Sequence, residues 1–411
     1  MTSLFAPARP RIRLAAVLFA TAATVPALLG ATTPAPFTVD KSPWLAPGHA
    51  PGATVPGTTV PGAAAVPGAA EPGPAAPGSA GRPNVHHLAP GASVQAAVDA
   101  ARPGDVVELA AGTFPGSVTL ATDGVTLRGQ GNRTVLVPDP ADRSACAAAG
   151  NGLCVTGVAD DRGMPVRPVS GAVVESLAVA GFPKSGIAAA VTDRLTVHEV
   201  SSHDNGLQGI SVEMSTRTVL TDNEARDNGQ AGIFVANWFD RKGGALETRG
   251  TQVAGNRLTD NRIGLQLRRV RDLTAIGNLA YGNCGGIFVV GDDGVPRAGS
   301  LTVSDNVVRA NNRYCAPNPR LDAVQGTGIL LTGTEDVVVS DNQVADHSGT
   351  SPMSGGIVLY PSVVGAPNAR AVITGNMLSD NQPADIADLD QDTGSSFTNN
   401  ACRTSQPAGH C

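Results

Sequence analysis

The sequence predicts an all-β solenoid with three short strands per turn, on three observations. From about Leu195 to Asn400 one phrase recurs: a hydrophobic residue, an asparagine, a second asparagine five positions on, then glycine with an aliphatic residue. Copies without insertions repeat every 22 or 23 residues, too short a period for two helices and suited to three strands. The composition agrees, because 49 Gly, 31 Pro and only 3% aromatic residues suit a turn-rich, small-residue core better than a helical bundle.

The N-terminus carries Arg9, Arg11 and Arg13 ahead of an apolar run from Leu14 to Gly30, which reads as a secretory signal peptide over residues 1–30. The run is short and contains Pro26, so no membrane span is expected once it is cleaved. Residues 31–84 follow in near-repeats such as Val55-Pro56-Gly57, too rich in Pro and Gly to bury a core, and read as a disordered linker. The solenoid is expected over residues 85–402, with 403–411 as a C-terminal tail.

The folded part opens on a helix signal. Ser93 is placed as N-cap, Val94, Ala97, Val98 and Ala101 share one face, and Pro103-Gly104 ends the run. A short helix here would cap the apolar cross-section that a solenoid exposes at its end. Strands follow at Val106–Leu109, Val118–Leu120, Val125–Leu127 and Thr134–Val137, and Asp139 to Ser170 then interrupts the repeat with a loop holding Cys146 and Cys154.

Regular coils run from Val173. The first asparagine is Asn223, Asn256, Asn278, Asn306, Asn342, Asn376 and Asn400; the second is Asn205, Asn228, Asn261, Asn283, Asn311 and Asn381, with His347 in one place. A buried asparagine at a tight turn can satisfy all its donors and acceptors on stacked neighbours, so these columns read as scaffold rather than calcium sites. The step between the asparagines never changes, and insertions fall only at the corners flanking the Gly-Ile strand. Loops grafted on one face of a rigid scaffold are where binding and chemistry concentrate.

The opening stretch, with Gly104-Asp105 after its helix and Ala111-Gly112-Thr113-Phe114, together with the Gly-Ile and asparagine phrases, resembles the pectin-lyase-like superfamily. Within it the chain looks like the repeat group of NosD-like proteins and alginate epimerases. The resemblance covers about Pro83 to Cys402 and implies a right-handed parallel β-helix of about ten or eleven coils. It specifies activity weakly, since lyases, hydrolases, epimerases and non-enzymes share the fold.

Candidate site residues are the outward positions of the Gly-Ile strands and their loops. Phe234, Trp238, Phe288 and Tyr360 gather aromatic faces near Gln266, Asp240, Arg241, Asp292 and Asp293, a mixture suited to sugar rings. The competing expectation is that the aromatics pack beneath inserted loops. For catalysis, Arg268 and Lys242 offer base or charge toward a uronate carboxylate, and Glu213 offers a carboxylate. His203-Asp204 is a further acid–base pair, or a solvated corner. No dedicated metal site is expected; calcium is the ion that lyases of this fold recruit. Asp292-Asp293 resembles one element of polygalacturonases, but their companion phrases are absent.

Six cysteines suit an exported protein. Cys146 with Cys154 and Cys402 with Cys411 are close in sequence, and stacking brings Cys284 beside Cys315 one coil on. A net charge of -6 gives no reason to expect nucleic acid. The expected protein is a secreted or cell-surface monomer acting on extracellular polysaccharide, as a lyase or epimerase of acidic glycans or as a non-catalytic glycan-binding or structural β-helix. A copper-handling accessory of the NosD kind is disfavoured, because the cysteines pair and the methionines scatter.

Overall fold

The computed structural model describes residues 83–238, 243–318, 321–390 and 394–411. The expected leader and most of the expected linker lie outside them. Strands of these residues stack into three long sheets, each parallel throughout. The first sheet holds twelve strands, from Val85–Leu88 to Ser396–Thr398. The second holds ten, from Gly112–Pro115 to Met377–Ser379, and the third eleven, from Val118–Leu120 to Ser405–Gln406. Each turn visits the three sheets in that order, and successive turns lie about 4.8 Å apart.

Alternation within each strand sends every second residue inward. On the third sheet, Leu153, Ile187, Ile210, Ile233, Leu265, Ile287, Ile329, Ile357 and Ile386 stand in register, all fully buried. Each such side chain contributes about 2 kcal/mol of burial. The glycine opening these strands is required by close approach: a Cβ at Gly232 would sit 2.8 Å from the Gly264 carbonyl oxygen and 2.9 Å from Asn261 Nδ2.

Both asparagine columns are hydrogen-bonded ladders. Asn278 Nδ2 donates to Asn306 Oδ1 at 3.0 Å and to the Val253 carbonyl at 2.9 Å, while its own Oδ1 accepts from the backbone and side chain of Asn256. His347 replaces an asparagine without breaking the second ladder. Its Nε2 lies 3.0 Å from Asn311 Nδ2 and its Nδ1 2.8 Å from Asn381 Oδ1. The ladder's direction therefore assigns the proton to Nδ1, and burial holds the imidazole down to about 4, hence neutral. Asp385 ends the ladder, accepting from Asn381 Nδ2 and from the backbone N–H groups of Arg403 and Thr404.

The residue before each ladder asparagine adopts a left-handed conformation. Asp222, Asp305 and Asp341 have φ of 56°, 55° and 57°, and Gly255, Gly277 and Gly375 occupy the same place in other coils. These aspartates are turn formers, since Gly, Asn and Asp tolerate this region best.

The ends are closed. Ser93 caps the Val94–Ala100 helix by accepting from the Ala96 N–H, and Val94 and Val98 are buried as expected. Gln95 then pairs with the open edge of the third sheet, its amide accepting from Thr119 N at 2.7 Å and donating to Thr119 O at 3.1 Å. At the far end Ser405–Gln406 adds the last strand of the third sheet, and His410 stacks on Phe397.

The three disulfides are Cys146–Cys154, Cys284–Cys315 and Cys402–Cys411, as expected. One segment departs from expectation. Within Asp139–Ser170, read as an interruption, Leu153–Thr156 is a regular strand of the third sheet; added to it are Ala145–Ala148, the Val158–Ala159/Pro165–Arg167 hairpin and the short strand Val169–Ser170, which pairs with Thr192–Asp193. Gly152-Leu153 is the missing Gly-aliphatic signal, disguised by the flanking insertions.

Candidate functional site

The insertions bracket the third sheet, so its outer face is the one the loops frame. Two outward columns rise along it. One runs Ala188, Ser211, Phe234, Gln266, Phe288, Leu330, Val358; the other Ala190, Glu213, Ala236, Arg268, Val290, Thr332, Tyr360.

The first column is largely covered. Phe234 and Phe288 are each only 1% exposed, which corrects their reading as open sugar platforms. Phe288, Leu330 and Val358 pack with Cys284 of the coil and with Val324 and Met353, which the insertions before Gly328 and Gly356 bring over the sheet. Phe234 packs with Ala231 and Ala236. Alternation had placed these rings on the outer face correctly, and inserted segments then buried Phe288.

Arg262 fastens that cover. The residue is 8% exposed, and its guanidinium donates to the carbonyls of Ala316 at 2.7 Å and Asp322 at 3.1 Å, with burial lowering its pKa. The Cys284–Cys315 bridge anchors the same insertion. Arg262 went unnoticed in the sequence, since its acceptors are backbone oxygens far along the chain.

The second column is more open. Glu213, Arg268, Val290, Thr332 and Tyr360 are all half-buried, while Ala236 is fully buried. Glu213 and Arg268 stand two rungs apart with the small Ala236 between them, about 10 Å between their α-carbons. Gln266, half-buried, precedes Arg268 on the same strand.

The remaining expectations divide. Trp238 is half-buried, and its indole N–H donates to the Gly163 carbonyl of the hairpin. Asp292 is ion-paired to Arg269 and accepts from the Gly294 N–H at 2.9 Å, so it fixes a turn, whereas Asp293 is exposed. Asp240, Arg241 and Lys242 lie outside the described residues. His203 is corrected: it belongs to the second sheet, between Ala180 and Arg226, with Nδ1 2.7 Å from Asp204 Oδ2. The asparagine corner separates that sheet from the third, so the pair does not share a face with Glu213.

Other charges on the corner leaving the third sheet are committed to structure. Asp193 accepts from Arg217 Nε at 2.8 Å and from a terminal nitrogen at 2.7 Å. That contact holds its carboxyl below the usual value against the opposing effect of burial. Glu335 bridges Arg271 and Arg370 at 2.9 and 3.1 Å.

Among the described residues no three His, Cys, Asp or Glu side chains gather to hold a metal ion. All six cysteines are paired, and His347 is enclosed in its ladder. This donor set does not fit copper.

These features define a right-handed parallel β-helix. A family model described as periplasmic copper-binding protein (NosD) matches residues 238–406, about two fifths of the chain. Among solved structures the chain is similar to the A-module of mannuronan C-5 epimerase AlgE4 from Azotobacter vinelandii, at 19% identity and a TM-score of 0.54, covering 76% of this chain and 91% of that one. It is also similar to DFA-IIIase from Arthrobacter chlorophenolicus A6 in its form without a lid, at 13% identity and a TM-score of 0.52, covering 78% and 89%. No curated protein sequence matches. At these identities the structural likeness is one of fold.

Proposed function

We propose that the chain is an extracytoplasmic protein acting on acidic polysaccharide along the outer face of the third sheet, as a lyase or epimerase. The observation that carries this reading is the half-open column in which Glu213 and Arg268 flank Ala236. Two long side chains about 10 Å apart at their α-carbons can bracket one sugar unit. Arg268 would hold the uronate carboxylate in a charge-assisted pair, and Glu213 would exchange a proton with the ring. Val290, Thr332 and Tyr360 extend the column with apolar and hydroxyl contacts for neighbouring units. The epimerase A-module of similar fold is consistent with this substrate class. Three disulfides and the leader-like N-terminus support an oxidising compartment. No described helix is long and apolar enough to cross a membrane.

Purified protein incubated with polyuronates, with and without calcium, tests this by ultraviolet absorbance of unsaturated product and by NMR of epimerised units. Turnover that Glu213→Gln abolishes while binding persists is the expected result. Absence of turnover on every polymer would remove the enzymatic reading.

The burial of Phe234, Phe288, Leu330 and Val358 favours a second reading, a non-catalytic glycan-binding or structural β-helix, because it narrows the usable face to one column. Binding without turnover, retained in Glu213→Gln and lost in Trp238→Ala, would select it.

A further inference from the structure

A separate cavity lies at the N-terminal end, on the corner between the first and second sheets. It is an open depression of about 330 Å³ that draws on three successive turns: His87, then Glu108 with Ala110 and Ala111, then Gln130 and Arg133. That volume is at the lower end of the range for small-molecule sites.

The polar groups are arranged rather than scattered. Glu108 is held by Arg128 at 2.9 Å and by the Gln130 amide at 3.4 Å, with His87 Nδ1 at 3.8 Å. Arg128 also faces Glu175 at 3.7 Å, so its charge is matched inside the protein. Arg133 is different: it is exposed, lines the cavity, and makes no ion pair among the described residues. The depression therefore presents one guanidinium without an ion pair, an amide, an imidazole and a fixed carboxylate beside the exposed Ala110 and Ala111. A ligand matching that set carries one negative group, several hydroxyls and a small apolar face.

We propose that this cavity is a binding site for a single carboxylate-bearing sugar unit. The carboxylate pairs with Arg133, sugar hydroxyls bond to Glu108, Gln130 and His87, and the ring's C–H face rests on Ala110 and Ala111. A simple anion would leave the Glu108 and Gln130 contacts unused, and a neutral sugar would forgo the charge-assisted pair with Arg133. The site stands apart from the column of Glu213 and Arg268 and does not depend on that column's function.

Amide-shift mapping on the nitrogen-labelled full chain, titrated with galacturonate, glucose and inorganic phosphate, tests the assignment. Galacturonate is expected to shift the amides of Ala110, Gln130 and Arg133. Glucose should bind this site at least about tenfold more weakly, and phosphate should not compete. Arg133→Ala should lose at least about tenfold in affinity with its melting temperature unchanged, Arg133→Lys should recover part, and Gln130→Ala should weaken binding independently. Equal binding of phosphate or glucose, an affinity indifferent to Arg133→Ala, or no shift at these amides would each overturn the proposal. Shifts confined to Glu213 and Arg268 would overturn it while leaving the groove reading intact.

Discussion

The asparagine corners and the loop-framed sheet are built by opposite rules. At the corners, identical side chains repeat and bond to copies of themselves, so each position is fixed by the coil above and below. On the third sheet the interior repeats, but the outer face is set by what each insertion lays over it. Phe288 and Arg268 are outward residues on adjacent strands, yet one is sealed and the other half-open. Position in the repeat fixes direction, and only the loops fix exposure.

Substitutions can break or sharpen that contrast. The largest effect should come from the ladder: Asn278→Ala removes the acceptor for Asn256 and the donor to Val253, and should cost about 4 kcal/mol in chemical denaturation. Phe288→Ala should cost about 3 kcal/mol, since the ring is buried; a loss near zero would restore it to the role of an open platform.

His347 gives a pH-dependent version. Its folded-state pKa is depressed from 6.5 to about 4, so its contribution is complete above 6.5 and is lost as pH falls toward 4. That loss is about 3 kcal/mol, from the usual conversion of a pKa difference. Denaturation across this range should show it, and His347→Asn should remove this part of the slope while keeping the ladder. The smallest effect on stability belongs to the open column. Arg268→Gln should change it by about 1 kcal/mol or less, yet weaken polyuronate binding at least about tenfold in calorimetry.

The legible and illegible parts of the molecule follow the same division. Asn223 through Asn400, His347 and the Cys284–Cys315 pair could be placed from spacing alone, because a solenoid converts sequence period into spatial neighbourhood. The exchange of Asp222 and Asp305 for Gly255 and Gly277 was a readable sign of a left-handed turn residue. Burial of Phe288 was one of two readings the sequence left open, since an insertion's length says that a loop exists and not where it lies. Arg262 was hidden for a related reason: carbonyl acceptors carry no residue signature. His203 was grouped with the site candidates although it lies on the second sheet, because a tight corner, short in sequence, turns the chain from one sheet to the next.

The closed ends give the constant corners a consequence for how such a chain can grow. Gln95 and the Cys402–Cys411 clip finish the two extremities without reference to the coils between them. A tandem duplication of one uninterrupted unit, such as Asn256 to Gly277, would slide into the stack with its asparagines in register and both termini untouched. It would lengthen the face by one rung, about 4.8 Å. The length of the outer face is thus a heritable dimension that can be altered in whole steps.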